Sequence, residues 1–228
     1  MNWPTYFEKN RNQRPSIPWE HGIQLPPSLR EALIPSLQRF QVGESGDGHY
    51  LKRNAATTGD ATYFMAVDLF IKEEQEHSRM LGRVLAALNA PLMKQHWSAT
   101  VFRWMRRAMG LKQELLMLLV AEMIAKKYYA ALRDGVDDPV LKAVCAQILD
   151  DELGHLKFHI EHLNRFFETW PFAPKMLVCE AWRACYRSVC LVVWLDHRQA
   201  LRAVNVSMEE FWWDCGMIFE EVSGGIFK

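Results

Sequence analysis

No two of the five cysteines are spaced C-x-x-C, so the chain has no ligand pairs for a zinc ribbon or a rubredoxin-type iron site. Cys145, Cys179, Cys185, Cys190 and Cys215 are odd in number, and four lie in apolar helical context. They read as reduced thiols of a cytoplasmic protein. Net charge is also missing, with 27 Lys and Arg against 27 Asp and Glu. A chain that grips phosphate backbones carries an excess of base, so nucleic acid is not an expected partner. The longest apolar runs, residues 115–121 and 189–195, fall far short of the roughly 18 residues a membrane span needs. The first 25 residues are polar, hold Pro4, Pro15 and Pro18, and lack the apolar region of a secretory signal. Strand signals are scarce: nothing alternates cleanly, and no Asn-Gly or Asp-Gly hairpin joins β-branched runs. The 228 residues, 50% hydrophobic and 24% charged, have the composition of a globular protein that can bury a core.

Helix punctuation is plentiful. Ser28 with Glu31 is a capping box opening a first helix, with Pro35 as a kink or restart. Asp60 caps a second that runs to about Asn89 and stops before Pro91. Gly110 precedes a third, which ends at Gly135. Asp138 followed by Pro139 opens a fourth, running to about Thr169. A fifth covers about residues 173–203, and the Ser207–Glu210 box opens a short last one. The linker between Pro91 and Gly110 carries its own helical piece, residues 96–109. The expected architecture is therefore all-α: residues 1–27 an extended arm, 28–170 two helix pairs joined by a long crossover, and 171–228 extra helices that cover the bundle or build a dimer.

Inside the apolar seams a polar set repeats. Glu74-x-x-His77 lies on the second helix and Glu152-x-x-His155 on the fourth; Glu44 and Glu122 each stand 30 residues upstream. An offset of 78 residues maps 44, 74 and 77 onto 122, 152 and 155. With 17 Glu and 8 His, chance gives roughly 0.6 such pairs, so the matching upstream glutamates carry the weight. So do the faces. Val67, Phe70, Glu74, His77, Leu81 and Val84 step by three and four; so do Leu115, Leu118, Glu122, Ala125 and Tyr129. Each carboxylate points where leucines and phenylalanines point. Four buried unpaired carboxylates would be ruinous, whereas two divalent cations turn the cost into ligation. Carboxylates with imidazoles suit iron or manganese. The bland alternative is a pair of internal ion-pair networks, for which few inward cations are present.

Over about residues 28–168 this pattern resembles the ferritin-like di-iron-carboxylate superfamily, whose four-helix bundles take one Glu from each of two helices and Glu-x-x-His from each of the other two. The resemblance implies two iron ions (Fe/Fe, Mn/Fe or Mn/Mn). Glu44, Glu74 and His77 would chiefly serve one, Glu122, Glu152 and His155 the other, with Glu74 and Glu152 shared. It also implies that Glu73 and Asp151, again 78 apart, hold the second imidazole nitrogens and fix their tautomers. Gly43, Gly46 and Gly48 around Glu44 depart from a helical pattern, and Asp47 is either a ligand or an outer partner there. His159 is either a third imidazole or a hydrogen-bonded core histidine, and His162 is structural or surface. Tyr129 faces inward, as a radical relay, a donor or simple packing.

The function this implies is an oxidoreductase that activates O2 to hydroxylate, desaturate or N-oxygenate a small apolar or aromatic substrate, with electrons from an external donor. The alternatives are iron handling, as a ferroxidase or a peroxide scavenger related to rubrerythrin, and a metal-free helical interaction protein. The run Arg103, Trp104, Met105, Arg106, Arg107 with Lys112 is a solvated helix face or a docking patch.

Overall fold

The computed structural model describes residues 1–107 and 110–228, and of Arg103, Arg106 and Arg107 the backbone alone. Among the described residues every regular element is helical: α1 (Trp3–Asn12), α2 (Pro27–Glu44), α3 (His49–Ala56), α4 (Ala61–Ala87), α5 (Trp97–Arg107), α6 (Leu111–Gly135), α7 (Pro139–Phe167), α8 (Phe172–Ala203) and α9 (Met208–Ile226), with one 3-10 turn at Trp19–His21. No described helix is long and apolar enough to cross a membrane. The basic run expected as a solvated face or docking patch lies outside the described side chains at Arg103, Arg106 and Arg107. The expected helical piece up to Met109 is described as far as Arg107. Lys112 lies over the Phe166 ring at 3.3 Å.

Three helix starts follow from short polar side chains that satisfy the first free backbone N–H groups. Asp60 Oδ1 accepts from Tyr63 N at 2.9 Å, Asp138 Oδ1 from Leu141 N at 2.8 Å, and Ser207 Oγ from Glu210 N at 3.0 Å. Ser28 does not serve this way: α2 begins at Pro27 after Pro26, because proline presets the helical φ without a side-chain bond. Pro35 stays inside α2. Instead of continuing through Asp47, α2 stops at Glu44. The chain turns at Gly48, whose φ of +65° suits glycine, and restarts as α3. A Cβ at Gly48 would also collide with the Ile71 side chain.

The expectation of an extended arm at residues 1–27 is corrected at α1. Asn2 caps it, accepting from Thr5 N at 3.2 Å, and Pro4 occupies its first turn. Trp3 and Phe7, one turn apart, are both buried, and their rings meet Phe158 of α7 at 5.3 and 5.4 Å. The helix packs across α4 and lies close to α7, where Gly154 faces Tyr6. Packing against two helices stabilises a segment too short and polar to be helical alone.

The seams form the core. Val67, Phe70, Leu81 and Val84 of α4, Leu115 and Leu132 of α6, and Leu141, Cys145 and Ile148 of α7 are essentially inaccessible. The most extensive helix–helix contacts are α6 with α7 and α2 with α4; α8 lies on α2 and α6, and α9 on α6, α7 and α8. The last helix, expected short, has 19 residues.

Candidate metal centre

The four long helices that bear the seams bring six side chains to one place. Glu74, Glu122, Glu152 and His155 each offer a ligand atom within 4.8 Å of the others, and so do Glu44, Glu74 and His77. Glu74 belongs to both groups. His155 Nδ1 lies 3.1 Å from Glu74 Oε1, 3.4 Å from Glu122 Oε2 and 3.5 Å from Glu152 Oε2. His77 Nδ1 lies 3.5 Å from Glu74 Oε1 and 3.7 Å from Glu152 Oε1. Both imidazoles are fully buried, Glu122 and Glu152 almost so, and Glu74 keeps 19% of its side-chain surface on the open side.

The other imidazole nitrogens face an outer layer. His77 Nε2 is 3.0 Å from Asp151 Oδ2, and His155 Nε2 is 3.1 Å from Glu73 Oε2. The two contacts cross: each histidine meets the acid of the opposite helix, so α4 and α7 hold each other's rings. A carboxylate acceptor assigns the proton to Nε2 and leaves the Nδ1 lone pair facing inward. Neither Nδ1, nor Glu74 Oε1, nor Glu152 Oε2, makes a hydrogen bond, although all are buried within reach of one another. Four carboxylates and two such nitrogens in hydrocarbon are unstable as they stand. They fit two divalent cations, which balance four negative charges and accept the free lone pairs.

Protons are the alternative occupants. Burial first, and then Glu74 and Glu122, push the Glu44 carboxyl well above its usual range; burial and Glu122 do the same to Glu152. Burial acts to lower the His155 pKa, but contacts to Glu122, Glu152, Glu73 and Glu74 outweigh it and hold it well above the ordinary value. Burial opposes ionisation of Asp151, yet the His77 bond and the charges of His77 and Arg14 outweigh it and keep this carboxyl low. Metal binding at such a site displaces protons.

Two residues of the N-terminal segment went unread in the sequence. Asn10 Nδ2 donates to Glu73 Oε1 at 2.8 Å and to Asp151 Oδ1 at 2.6 Å. Arg14 Nη2 donates to Asp151 Oδ2 at 2.8 Å and lies 3.3 Å from Glu73 Oε1. Gln147 adds a bond to Asp151 at 3.1 Å. Asn10 and Arg14 thus tie the two outer acids together and partly neutralise them. Their signal was present: Trp3, Phe7, Asn10 and Arg14 step by four, three and four, like the other seams.

The remaining expected residues divide. Tyr129, fully buried, donates its hydroxyl to Glu44 Oε1 at 3.0 Å; burial and the Glu44 charge push its pKa well up, so it stays a donor. Asp47 is not drawn into the cluster: its Oδ1 accepts from His49 N at 3.1 Å at the start of α3. His159 is buried with its ring edge-on to Phe70 at 4.8 Å, and is in neither group of converging ligand atoms. His162 stacks on Tyr63 at 3.9 Å.

Beside the cluster opens a cavity of about 630 Å³, within the range of small-molecule sites. Glu44, Glu74, Glu122 and Glu152 are among its lining residues, together with apolar residues of α5, α6 and α8 and with Arg39, Phe40, Asp47 and His197. Comparison with known proteins finds no matching family, no matching curated protein and no matching solved structure. The molecule therefore stands as an all-helical chain with a buried carboxylate–histidine cluster able to hold metal.

Proposed function

We propose that this cluster holds two iron ions, or a manganese–iron or manganese pair, and that the protein is an O2-activating oxidoreductase. On this reading α2, α4, α6 and α7 are the four helices of a ferritin-like bundle, and residues 88–110 are its crossover. Glu44, Glu74 and His77 would hold one ion and Glu122, Glu152 and His155 the other, with Glu74 and Glu152 between them. Metals held there would supply the means to reduce O2 for hydroxylation, desaturation or N-oxygenation; in an oxygen insertion one oxygen atom would enter the substrate and the other leave as water, with two electrons and two protons from an external donor.

The chain's own residues do the rest. Asp151 and Glu73 orient the imidazoles and raise their basicity. Asn10 and Arg14 keep those two acids in place. Tyr129 holds one oxygen of Glu44, leaving the other for the centre. The apolar walls lower the local dielectric around Glu122 and Glu152 and strengthen the charge interactions there.

The observation that carries the reading is the pair of bare, inward-facing Nδ1 atoms set among carboxylates. A metal-free interaction protein would have no use for them. Iron handling alone, as ferroxidase or peroxide scavenger, leaves the apolar cavity unexplained. The test is metal analysis of protein loaded anaerobically with Fe(II), followed by an O2 pulse. Two irons per chain and a transient visible absorbance that forms only with O2 support it. Zero or one iron per chain, or two irons inert to O2, overturns it.

A further inference from the structure

We propose that the cavity binds a monocarboxylic acid with an apolar body, its head group on Arg39 and its body reaching toward Glu44 and Glu74. The purpose of such a ligand rests on the oxidation reading above, whereas its binding does not.

Arg39 is the cationic side chain among the described residues that line the cavity, where His197 is the other basic group. Arg39 Nη1 donates to the Asp196 carbonyl oxygen, Nε is buried without a partner, and no carboxylate pairs with the guanidinium among the described residues. A guanidinium is always charged and is built for acids. Half-buried, with Nε enclosed and one neutral acceptor, it lacks the counter-charge that normally accompanies a guanidinium in a partly apolar setting. His197 does not change this balance. Its Nδ1 is engaged by Ser36 Oγ at 2.8 Å, and burial, followed by the Arg39 charge, pushes its pKa down to about 3, so it is neutral.

The rest of the lining states what accompanies the anion. Phe102, Leu118, Val189, Val192 and Val193 present hydrocarbon, which suits an alkyl or aryl body. Glu44, Asp47 and Glu74 line the same space and offer no cation to a negative head group. The charges therefore orient the ligand: acid at Arg39, apolar part toward the cluster. Arg39 and Glu44 lie five residues apart on α2, about 7.5 Å of helix rise.

Calorimetric titration of the full, chelator-treated chain with decanoate, 1-decanol and decylammonium tests this. Decanoate should bind at least about tenfold more tightly than 1-decanol, the yield of a charge-assisted bond, and decylammonium most weakly. Arg39→Gln should erase the preference for decanoate while leaving 1-decanol binding in place, and Arg39→Lys should keep part of it. Equal binding of acid and alcohol, a preference that survives Arg39→Gln, or no binding of any probe overturns the proposal. Far-UV circular dichroism checks the fold of each variant. Co(II) stoichiometry, measured in parallel, separates the two readings: intact decanoate preference without metal binding sinks the oxidation reading alone, and intact metal binding without the preference sinks this one.

Discussion

Glu152→Gln should make the metal-free protein more stable at neutral pH, although it removes a side chain from the centre of the core. Glu152 is 1% exposed and lies beside Glu122, so burial and like charge hold its carboxyl well above the unfolded value of 4.5. Above pH 4.5 the unfolded chain has lost this proton and the folded chain keeps it. Stability therefore falls as pH rises toward the folded pKa, by about 1.4 kcal/mol per pH unit for each such proton. Glu44 and, above its unfolded value of 6.5, His155 are raised as well and act in the same direction. Over whatever part of this range the folded chain keeps the Glu152 proton, Glu152 contributes to the loss of stability at that slope. Glutamine preserves the shape and carries no titrating proton, so the variant's slope should be shallower by at least one proton. Urea denaturation of chelator-treated protein at pH 5, 6, 7 and 8 measures both slopes. With Mn(II) in excess the order should reverse, because the wild type gains binding energy that the variant partly lacks. A variant as steep as the wild type without metal, or unaffected in its response to Mn(II), would refute the reasoning.

Other changes separate packing from metal chemistry. Gly154→Ala places a methyl group against the Tyr6 hydroxyl and ring where α7 meets α1; it should cost about 1–3 kcal/mol in denaturant unfolding, and Tyr6→Ala should relieve most of that cost if α1 lies there. Phe7→Ala empties a fully buried site between α1 and α7, with an expected loss of about 3–5 kcal/mol by the same assay. Asn10→Ala leaves the six inner residues untouched and should weaken Mn(II) binding by about 10- to 100-fold in equilibrium titration, while moderate destabilisation alone would leave affinity unchanged. Tyr129→Phe removes one bond to Glu44 and should lower affinity at the Glu44–Glu74–His77 group more than at the other.

How much of this could be read beforehand follows from what each feature depends on. Asp60, Asp138 and Ser207 announced their helices because capping is local: the side chain serves an N–H two or three positions on. The cluster was legible for a different reason. An exact offset of 78 residues, together with three-and-four spacing, places chemically alike residues at matching heights on paired helices, and the structure draws those six together. The crossed contacts of Glu73 with His155 and Asp151 with His77 were legible in residue identity, but their crossing depends on how α4 and α7 meet. The first helix was missed because it is short and polar and is stabilised by Phe158 and its neighbours, which lie some 150 positions away. Ser28 misled because a proline pair just before it already starts α2. Asp47 shares a helical register with Glu44 in the sequence, yet α2 ends at Glu44, which breaks that register, and the Asp47 carboxylate accepts from His49 N instead.

The central claim is that the inward-facing Nδ1 atoms of His77 and His155 are ligands. Anomalous difference maps, collected at the manganese and iron edges from crystals grown with each metal, test it most directly. The account predicts two peaks, one against His77 Nδ1 and one against His155 Nδ1, with Glu74 and Glu152 oxygens reaching both. A map with no peak among these six side chains, or with metal only at the molecular surface, would contradict it.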